Sequence, residues 1–303
     1  MNNHIKIDRI ELSDKQQKEY KQILINTFKA FDVFCKENNL TYYACGGTLL
    51  GAVRHRGIIP WDDDIDVVMP INDFQKLQSL KNKCTSSGYE IKDYNDEGYY
   101  LPYIKFIDRN TTIWEVKENE YVIGVFIDVS PLFSTNGNLA ANYTKIEEYK
   151  RLFNRLSSGY KKYPLKTLIK AIMNLQLRNV YGWIKGLLYY KHSQIKMRQV
   201  FIDYHEKLAS VNSGDYLINY FATYPVEKEL FKKEWFEEST LLPFEDTQIS
   251  VPSKYHDILN NMFGEYMTPP PVEQRVSHHY LYFMDLNRRW TIDEIKRIKK
   301  NGK

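Results

Sequence analysis

Aspartates at alternate positions mark the most informative stretch of the chain, residues 60–69 (PWDDDIDVVM). Successive side chains of a β-strand point to opposite faces, so Asp62, Asp64 and Asp66 share one face. Three carboxylates on one face repel one another unless a cation lies between them. A hard divalent ion with oxygen ligands, Mg²⁺ or Mn²⁺, is the natural compensation. The alternative is an acidic turn on a solvated surface, but the apolar residues that follow favour the end of a buried strand.

A glycine pair upstream of the aspartates predicts a place for a phosphate. Gly46, Gly47 and Thr48 lie where a short strand is expected to run into a helix. Glycines let the backbone approach a phosphate, and the first N–H groups of a helix are available to bind it. Taken alone, the pair is also compatible with an ordinary tight turn. Followed within about 20 residues by Asp-x-Asp, it predicts a combined phosphate and metal site.

Further charged residues are candidates for the same site. Asp128 is a lone charge in the apolar run 121–129, where it either joins the metal site or faces water at a strand end. Lys105 lies between Ile104 and Phe106, and a buried lysine needs an anion. Together with Arg109, Arg54 and His55 it is a candidate phosphate ligand, the alternative for each being a solvated surface charge. The phosphate candidates are Lys105, Arg109, Arg54 and His55.

The elements that must position these residues alternate between helix and strand. We expect helices over 14–39, from Thr48, over 73–83 with Asn72 as its cap, and over 255–263 up to Gly264. Strands are expected around 40–47, 61–69, 99–108 and 122–129, the last ended by Pro131, and residues 235–252 form a hairpin. This order indicates an α/β or α+β domain with a central sheet.

Composition excludes several classes of protein. The chain has 303 residues, 43% of them hydrophobic and 26% charged, which rules out wholesale disorder and fibrous architecture. Its three cysteines form no CxxC or Cys/His pair, so neither a disulfide framework nor structural zinc is indicated, and a reduced cytoplasmic chain is expected. We expect no secretory signal and no segment long and apolar enough to span a bilayer. The net charge of +4 is too small to argue for nucleic acid.

The charge is unevenly distributed. Between Lys145 and Val200, thirteen basic residues stand against two acidic ones, so this segment carries +11 and the rest of the chain −7. The segment is also helical in pattern and aromatic, with Tyr181 and Trp183 between its basic residues. A solvated helical face, a nucleic-acid surface and an interfacial helix on an anionic membrane all fit this pattern, and we prefer the membrane to nucleic acid.

Residues 46–69, GGTLLGAVRHRGIIPWDDDIDVVM, resemble the signature of the LicD/fukutin family, and the resemblance continues through 103–112, 124–132 and 263–279. It implies an α+β, nucleotidyltransferase-like fold of the DNA polymerase beta type, a mixed sheet flanked by helices. Residues 1–303 would be one such domain, with a basic aromatic helical insertion at 145–208 and a basic tail at 288–303.

The resemblance implies an enzyme that moves a phospho-alcohol, phosphocholine above all, from a CDP-alcohol to a hydroxyl of a cell-surface or capsular glycan or a teichoic acid precursor, releasing CMP. It implies Mg²⁺ or Mn²⁺ at Asp62, Asp64, Asp66 and Asp128, with Asp64, Asp66 and Asp128 catalytic. Gly46, Gly47 and Thr48 would bind the donor phosphate. The alternative is a nucleotidyltransferase that uses an NTP and releases pyrophosphate.

The matched blocks also contain possible substrate contacts. A quaternary ammonium is best held by aromatic rings, and Tyr99, Tyr100 and Tyr103 lie in one block. Arg275, His278 and His279 end another block, and no spaced metal-ligand set accompanies the two histidines. The glycan acceptor is expected on a lipid carrier at the inner face of the plasma membrane.

Overall fold

A mixed β-sheet holds the acidic stretch in the computed structural model, which describes residues 10, 12–84, 88–160, 165–191, 194–211, 213–275 and 281–301. The strands are β1 Tyr43–Ala44, β2 Asp66–Pro70, β3 Tyr89–Lys92, β4 Ile104–Asp108, β5 Thr112–Trp114, β6 Phe126–Thr135, β7 Tyr216–Ile218, β8 Leu230–Lys232, β9 Ser239–Phe244, β10 Thr247–Pro252 and β11 Phe283–Asp285. The helices are α1 Asp14–Glu37, α2 Gly46–His55, α3 Ile71–Ser79, α4 Lys81–Cys84, α5 Leu139–Tyr160, α6 Leu165–Met173, α7 Leu177–Lys191, α8 Gln194–Ala209, α9 Val226–Glu229, α10 Tyr255–Phe263 and α11 Ile292–Asn301.

The central sheet has the strand order β1-β2-β6-β4-β3, and β7 and β8 extend it from the later part of β6. Strands β2 and β6 run parallel, which places Asp66 beside Asp128. The other neighbours in this sheet are antiparallel. Strands β9 and β10 form a separate hairpin, and β5 pairs with β11. The predicted α+β class is confirmed.

Helices α1 and α3 cover one face of the sheet. Phe31 of α1 packs its ring edge-on against Phe106 of β4, with the centroids 5.5 Å apart, and Val67, Ile127 and Val129 are fully buried. Helix α1 begins at a capping box in which Ser13 and Gln16 each accept a hydrogen bond from the other's backbone N–H. The opposite face carries Asp66 and Asp128, which line a cleft.

Several predicted boundaries were wrong. Helix α2 begins at Gly46 rather than near Thr48, and the β2 ladder begins only at Asp66. Helix α3 begins at Ile71 with Pro70 as its N-cap, so Asn72 lies within its first turn, and α4 is separate. Strand β6 continues past Pro131 to Thr135. In the described sheet, β4 pairs with β6 up to Val129, and β7 pairs with β6 from Phe133 onward. Pro131 lies between these two ladders, where its lack of an N–H is tolerated.

The basic segment is helical, as predicted. It forms α5, α6, α7 and α8, and α7 and α8 both pack on α5. The expected hairpin forms as β9 and β10, and α10 ends at Gly264, which has a φ of +68°. Among the helices described, none has the length and apolar character needed to cross a bilayer.

Candidate active site

A cleft of about 780 Å³ opens on the face of the sheet that the aspartates occupy. Its floor is the sheet itself, where Asp66 and Val68 of β2 lie beside Asp128 and Ser130 of β6. Its walls come from the start of α2, from residues 219–236 and from α10 with the turn that follows it. The cleft therefore joins segments that are far apart in the sequence.

The glycine turn forms one wall of this cleft. Gly46, whose φ is +51°, and Gly47 begin α2, and both line the cleft. A Cβ on Gly47 would lie 2.8 Å from Asp62 Oδ2, so only glycine permits the aspartate to approach the helix start this closely. Thr48 is buried and does not line the cleft. Its Oγ1 accepts a hydrogen bond of 2.8 Å from the Asp66 N–H, which ties the helix to the first residue of β2.

The aspartates cluster as their spacing predicts. Asp62, Asp64 and Asp66 all line the cleft, and Asp128 lies beside Asp66 on the neighbouring strand. Carboxylate oxygens of Asp62, Asp63 and Asp64 lie within 4.8 Å of one another, so Asp63 belongs to the cluster although its alternating position predicted the other face. Burial, together with the negative charge of Asp64, raises the pKa of Asp62 to about 7.

This donor set fits a divalent cation. It consists of carboxylate oxygens alone, the ligand type that Mg²⁺ and Mn²⁺ prefer. Carboxylate oxygens within 4.8 Å of one another repel, and this repulsion adds to burial in raising the pKa of Asp62. A cation bound among them would relieve this repulsion.

The anion that pairs with the buried Lys105 is a side chain of the protein itself, Asp128. Its Nζ lies 2.8 Å from Asp128 Oδ1, because the β4–β6 register places the two residues opposite each other. The Lys105 side chain is 2% exposed and lies over the Phe126 ring, 3.1 Å from its centroid. It is not among the residues that line the main cleft. The structure thus connects Lys105 to the site through Asp128.

Two arginines lie by the ring of Trp61, a residue that lines the cleft. Arg54 lines it and donates a hydrogen bond of 2.8 Å to the Tyr266 carbonyl oxygen. The guanidinium carbons of Arg54 and Arg275 lie 6.0 and 5.0 Å from the centroid of the Trp61 ring. His55 contacts the same ring edge-on. Burial and the positive charge of Arg275 lower the pKa of Arg54, and burial and both arginines lower that of His55. Such convergence of positive charge favours an anionic ligand.

Other predicted contacts lie elsewhere. Arg109 is exposed in the turn after β4, and its N–H bonds the Gly88 carbonyl oxygen, away from the cleft residues. Tyr99 is buried and donates to the carbonyl oxygen of Tyr103. Tyr100 stacks on Phe153, whereas Tyr103 lines the cleft. The predicted contacts His278 and His279 fall outside the described residues.

An aromatic wall with a buried acid completes the cleft and was missed from the sequence. Tyr224 and Phe263 meet edge-on with their ring centroids 5.6 Å apart. The rings of Phe231 and Phe236 are tilted relative to each other, with their centroids 5.8 Å apart. Glu229, at the end of α9, lines the same wall and is buried, which raises its pKa to about 8. No lysine, arginine or histidine of the described part of the chain lies within 4.0 Å of its carboxylate. Its sequence context, VEKE, is that of a solvated helix, so no signal marked it.

Comparison with known proteins assigns residues 39–168 to the LicD/FKTN/FKRP nucleotidyltransferase domain. The chain is 27% identical over 265 residues to the Lipopolysaccharide cholinephosphotransferase LicD of Haemophilus influenzae, covering 86% of this chain and 95% of that protein. It is 38% identical over 92 residues to an uncharacterised protein of Rickettsia typhi, 27% of this chain and 29% of that one. It is 30% identical over 96 residues to the Ribitol 5-phosphate transferase FKRP of Mus musculus, 32% of this chain and 17% of that one.

Proposed function

The chain belongs to the LicD family through residues 39–168, and on that premise we propose that it transfers a phospho-alcohol from a CDP-alcohol to a hydroxyl of a glycan, releasing CMP. Two relatives are named for transferring a phospho-alcohol, one phosphocholine and the other ribitol 5-phosphate. We propose phosphocholine as the group transferred here. The acceptor would be a cell-surface or capsular glycan or a teichoic acid precursor. It would be attached to a lipid carrier, and the enzyme would reach it from the cytoplasm. We further propose that the whole chain is one domain of nucleotidyltransferase type with residues 145–208 inserted.

The observation that carries this proposal is that opposite charges border one cleft. The carboxylates of Asp62, Asp64, Asp66 and Asp128 lie on its floor, and Arg54 and Arg275 lie around Trp61 at its edge. A diphosphate with a divalent ion is a ligand that satisfies both groups. Between them, the glycine turn presents the start of α2, where backbone N–H groups bind phosphate.

The reaction exchanges the phosphoanhydride bond of the donor for a phosphodiester linkage to the acceptor. The acceptor oxygen forms a bond to the phosphorus that carries the alcohol, and the bond from that phosphorus to the bridging oxygen breaks. CMP leaves with the electron pair, and the acceptor's hydroxyl proton passes to a carboxylate, for which we propose Asp128. A divalent ion held by Asp62, Asp64, Asp66 and Asp128 would lower the charge that repels the incoming oxygen. Arg54 and Arg275 hold the diphosphate in line with the acceptor.

The aromatic wall supports a cationic alcohol. Quaternary ammonium groups bind over aromatic faces, and Tyr224, Phe263, Phe231 and Phe236 supply such faces in the cleft. Glu229 adds a carboxyl group that has no cationic partner within 4.0 Å among the described residues. A trimethylammonium group beside it would favour its ionised form, whereas a neutral polyol would not.

The transfer is tested by CMP release from CDP-choline in the presence of Mg²⁺. We expect Asp64→Asn to lower the rate on the order of 1,000-fold, because it removes a carboxylate from the cluster. Asp203→Asn, an exposed position on α8 away from the cleft, is the matched control and should keep the wild-type rate. Equal rates for the wild type and Asp64→Asn would contradict the proposal.

The alcohol is tested by comparing CDP-choline with CDP-glycerol, CDP-ribitol and CDP-ethanolamine. We expect Glu229→Gln and Tyr224→Leu each to raise KM for CDP-choline about tenfold, the scale of a desolvated cation–π contact. KM for CDP-glycerol should change less than about twofold, since no charge is recognised there. An equal rise in KM for both donors would show that the aromatic wall has a role other than recognising the cationic alcohol.

The description of the matching domain as a nucleotidyltransferase favours one alternative. In that reaction an NTP would react at its α-phosphorus and pyrophosphate would leave. The same preparation supplied with CTP or ATP and Mg²⁺ tests this directly, since pyrophosphate is released only in the alternative reaction.

A further inference from the structure

Helices α6 and α7 expose an apolar stripe instead of burying it. On α6, Leu165, Ile169, Ile172 and Met173 are all exposed. Their spacing places them on one face, because residues 3, 4, 7 and 8 apart lie above one another on an α-helix. Ala171 is the buried residue of this helix. Four large side chains of α6 therefore face solvent, and the small side chain of Ala171 faces the protein.

Helix α7 repeats the pattern. Leu177, Tyr181, Ile184 and Leu188 are exposed and recur at intervals of 4, 3 and 4 residues, again a single face. On the other side α7 packs against α5, with Gly186 buried. Contact with the rest of the protein is thus made by one face, and the apolar stripe is left uncovered by the described residues.

The turn between the two helices is apolar as well. Met173, Leu175 and Leu177 are 79%, 84% and 79% exposed. Leu175 has a φ of +52°, a left-handed conformation that Gly or Asn adopts far more readily than leucine. A solvated turn would favour Gly or Asn here, whereas the strained and exposed leucine makes the tip of the hairpin apolar.

Only positive charge accompanies this surface. Lys166, Lys170 and Arg178 are exposed beside the stripe, and the sequence contains no Asp or Glu between Glu148 and Asp203. A second copy of the chain would bring two positive faces together, which like-charge repulsion opposes. Nucleic acid would supply negative charge but no apolar environment for Leu, Ile and Met side chains. An anionic lipid surface supplies both.

We propose that the α6–α7 hairpin, residues 165–188, docks the protein onto an anionic bilayer, with its apolar stripe at the level of the acyl chains and its basic residues among the headgroups. The proposal is independent of the reaction assigned to the cleft. Because the helices lie in the interface rather than cross it, the hairpin is a peripheral anchor.

Flotation of the full-length chain with vesicles tests this docking. We expect binding to phosphatidylcholine vesicles with 30% phosphatidylglycerol, and at least tenfold weaker binding to phosphatidylcholine alone. Leu175→Asp with Leu177→Asp should lower binding to the anionic vesicles at least tenfold without changing the thermal midpoint, since both side chains are exposed. Val33→Asp, at an exposed apolar position on α1, is the matched control and should bind as the wild type does.

A second set of variants tests how much the basic residues beside the stripe contribute to vesicle binding. Replacing Lys166, Lys170 and Arg178 by Gln should weaken binding to anionic vesicles at least fivefold, whereas Lys15, Lys18 and Lys228, exposed elsewhere, should tolerate the same change. No binding to either vesicle, or equal binding by the Leu175→Asp/Leu177→Asp variant, would overturn the proposal. So would a concentration-dependent dimer that this variant abolishes, which would make a second copy the occupant of the stripe.

Discussion

At Gly47 the absence of a side chain determines where a carboxylate can lie. Asp62 Oδ2 occupies the position that a Cβ on this residue would approach to 2.8 Å, a distance that packed atoms do not adopt. The same carboxyl group has its pKa raised to about 7 by burial and by Asp64. Gly47 therefore admits Asp62 to the crowded cluster at the start of α2.

We predict that Gly47→Ala lowers the rate of CMP release on the order of 100-fold, because displacing Asp62 by several tenths of an ångström misplaces a carboxylate that would hold the divalent ion. The free energy of unfolding should change little, since alanine suits a helix. The control is Gly182→Ala in α7, where an added Cβ meets nothing within 4 Å. A Gly47→Ala enzyme as active as Gly182→Ala would show that the distance between Gly47 and Asp62 does not matter.

Side-chain alternation predicted from the sequence alone that Asp62, Asp64 and Asp66 lie together, and all three line the cleft. The reason was only partly right, because strand β2 begins at Asp66 and the carboxylate of Asp63 joins the cluster. The sequence could not place Glu229 in the cleft, because its burial depends on the packing of residues far along the chain. Trp61 was missed for a similar reason: its neighbours Arg54 and Arg275 come from segments that only the fold brings together.

At the scale of elements, a buried ion pair joins two antiparallel strands. Lys105 of β4 lies opposite Asp128 of β6, and their charged atoms are 2.8 Å apart. The sequence predicted a buried lysine in need of an anion, but the strand pairing that supplies Asp128 is a long-range contact. Pro131 was misjudged for the same reason, since whether a strand tolerates proline depends on its neighbours at that point.

Breaking this pair should destabilise the sheet. We predict that Lys105→Met lowers the free energy of unfolding by about 3 kcal/mol, because it leaves the Asp128 carboxylate without its cation. The double variant Lys105→Met/Asp128→Asn should recover a large part of that loss, since neither charge remains. Urea unfolding of the wild type and both variants measures this, and a loss below about 0.5 kcal/mol in Lys105→Met would contradict it.

At the scale of the whole molecule, α8 is attached to the sheet through an aromatic cluster around a buried histidine. His205 contacts the rings of Tyr94, Phe133, Phe201 and Phe221. Burial lowers the pKa of His205 to about 3. The folded protein therefore keeps this imidazole neutral well below the pH at which the unfolded chain protonates it.

This difference predicts an acid-sensitive stability. The unfolded state binds a proton at His205 below about pH 6.5, whereas the folded state does so only near pH 3, so stability falls as the pH drops through this interval. The loss from this group is about 1.4 kcal/mol per pH unit. His205→Phe should remove this pH-dependent loss. The unfolding free energy of the variant minus that of the wild type should therefore grow as the pH falls from 7 to 5. Parallel stability curves would contradict this prediction.

The candidate active site itself is a property of the whole molecule. The motifs of residues 46–69 and Asp128 lie close enough in sequence to be predicted together, and they form the floor and one wall of the cleft. The aromatic wall comes from residues 221–236 and α10, which carry no recognisable motif. The aromatic side of the cleft, where we propose that the cationic alcohol binds, therefore required the structure.

Phosphorus NMR of the complete reaction tests the central claim most directly. The chain is incubated with Mg²⁺, CDP-choline and the glycan fraction of a strain that lacks phosphocholine, with Asp64→Asn and Asp203→Asn alongside. We predict that the diphosphate signals decay while CMP and a phosphodiester on the glycan appear in equal amounts, in the wild type and Asp203→Asn but not in Asp64→Asn. Intact CDP-choline, together with pyrophosphate release when CTP is supplied instead, would contradict the assignment.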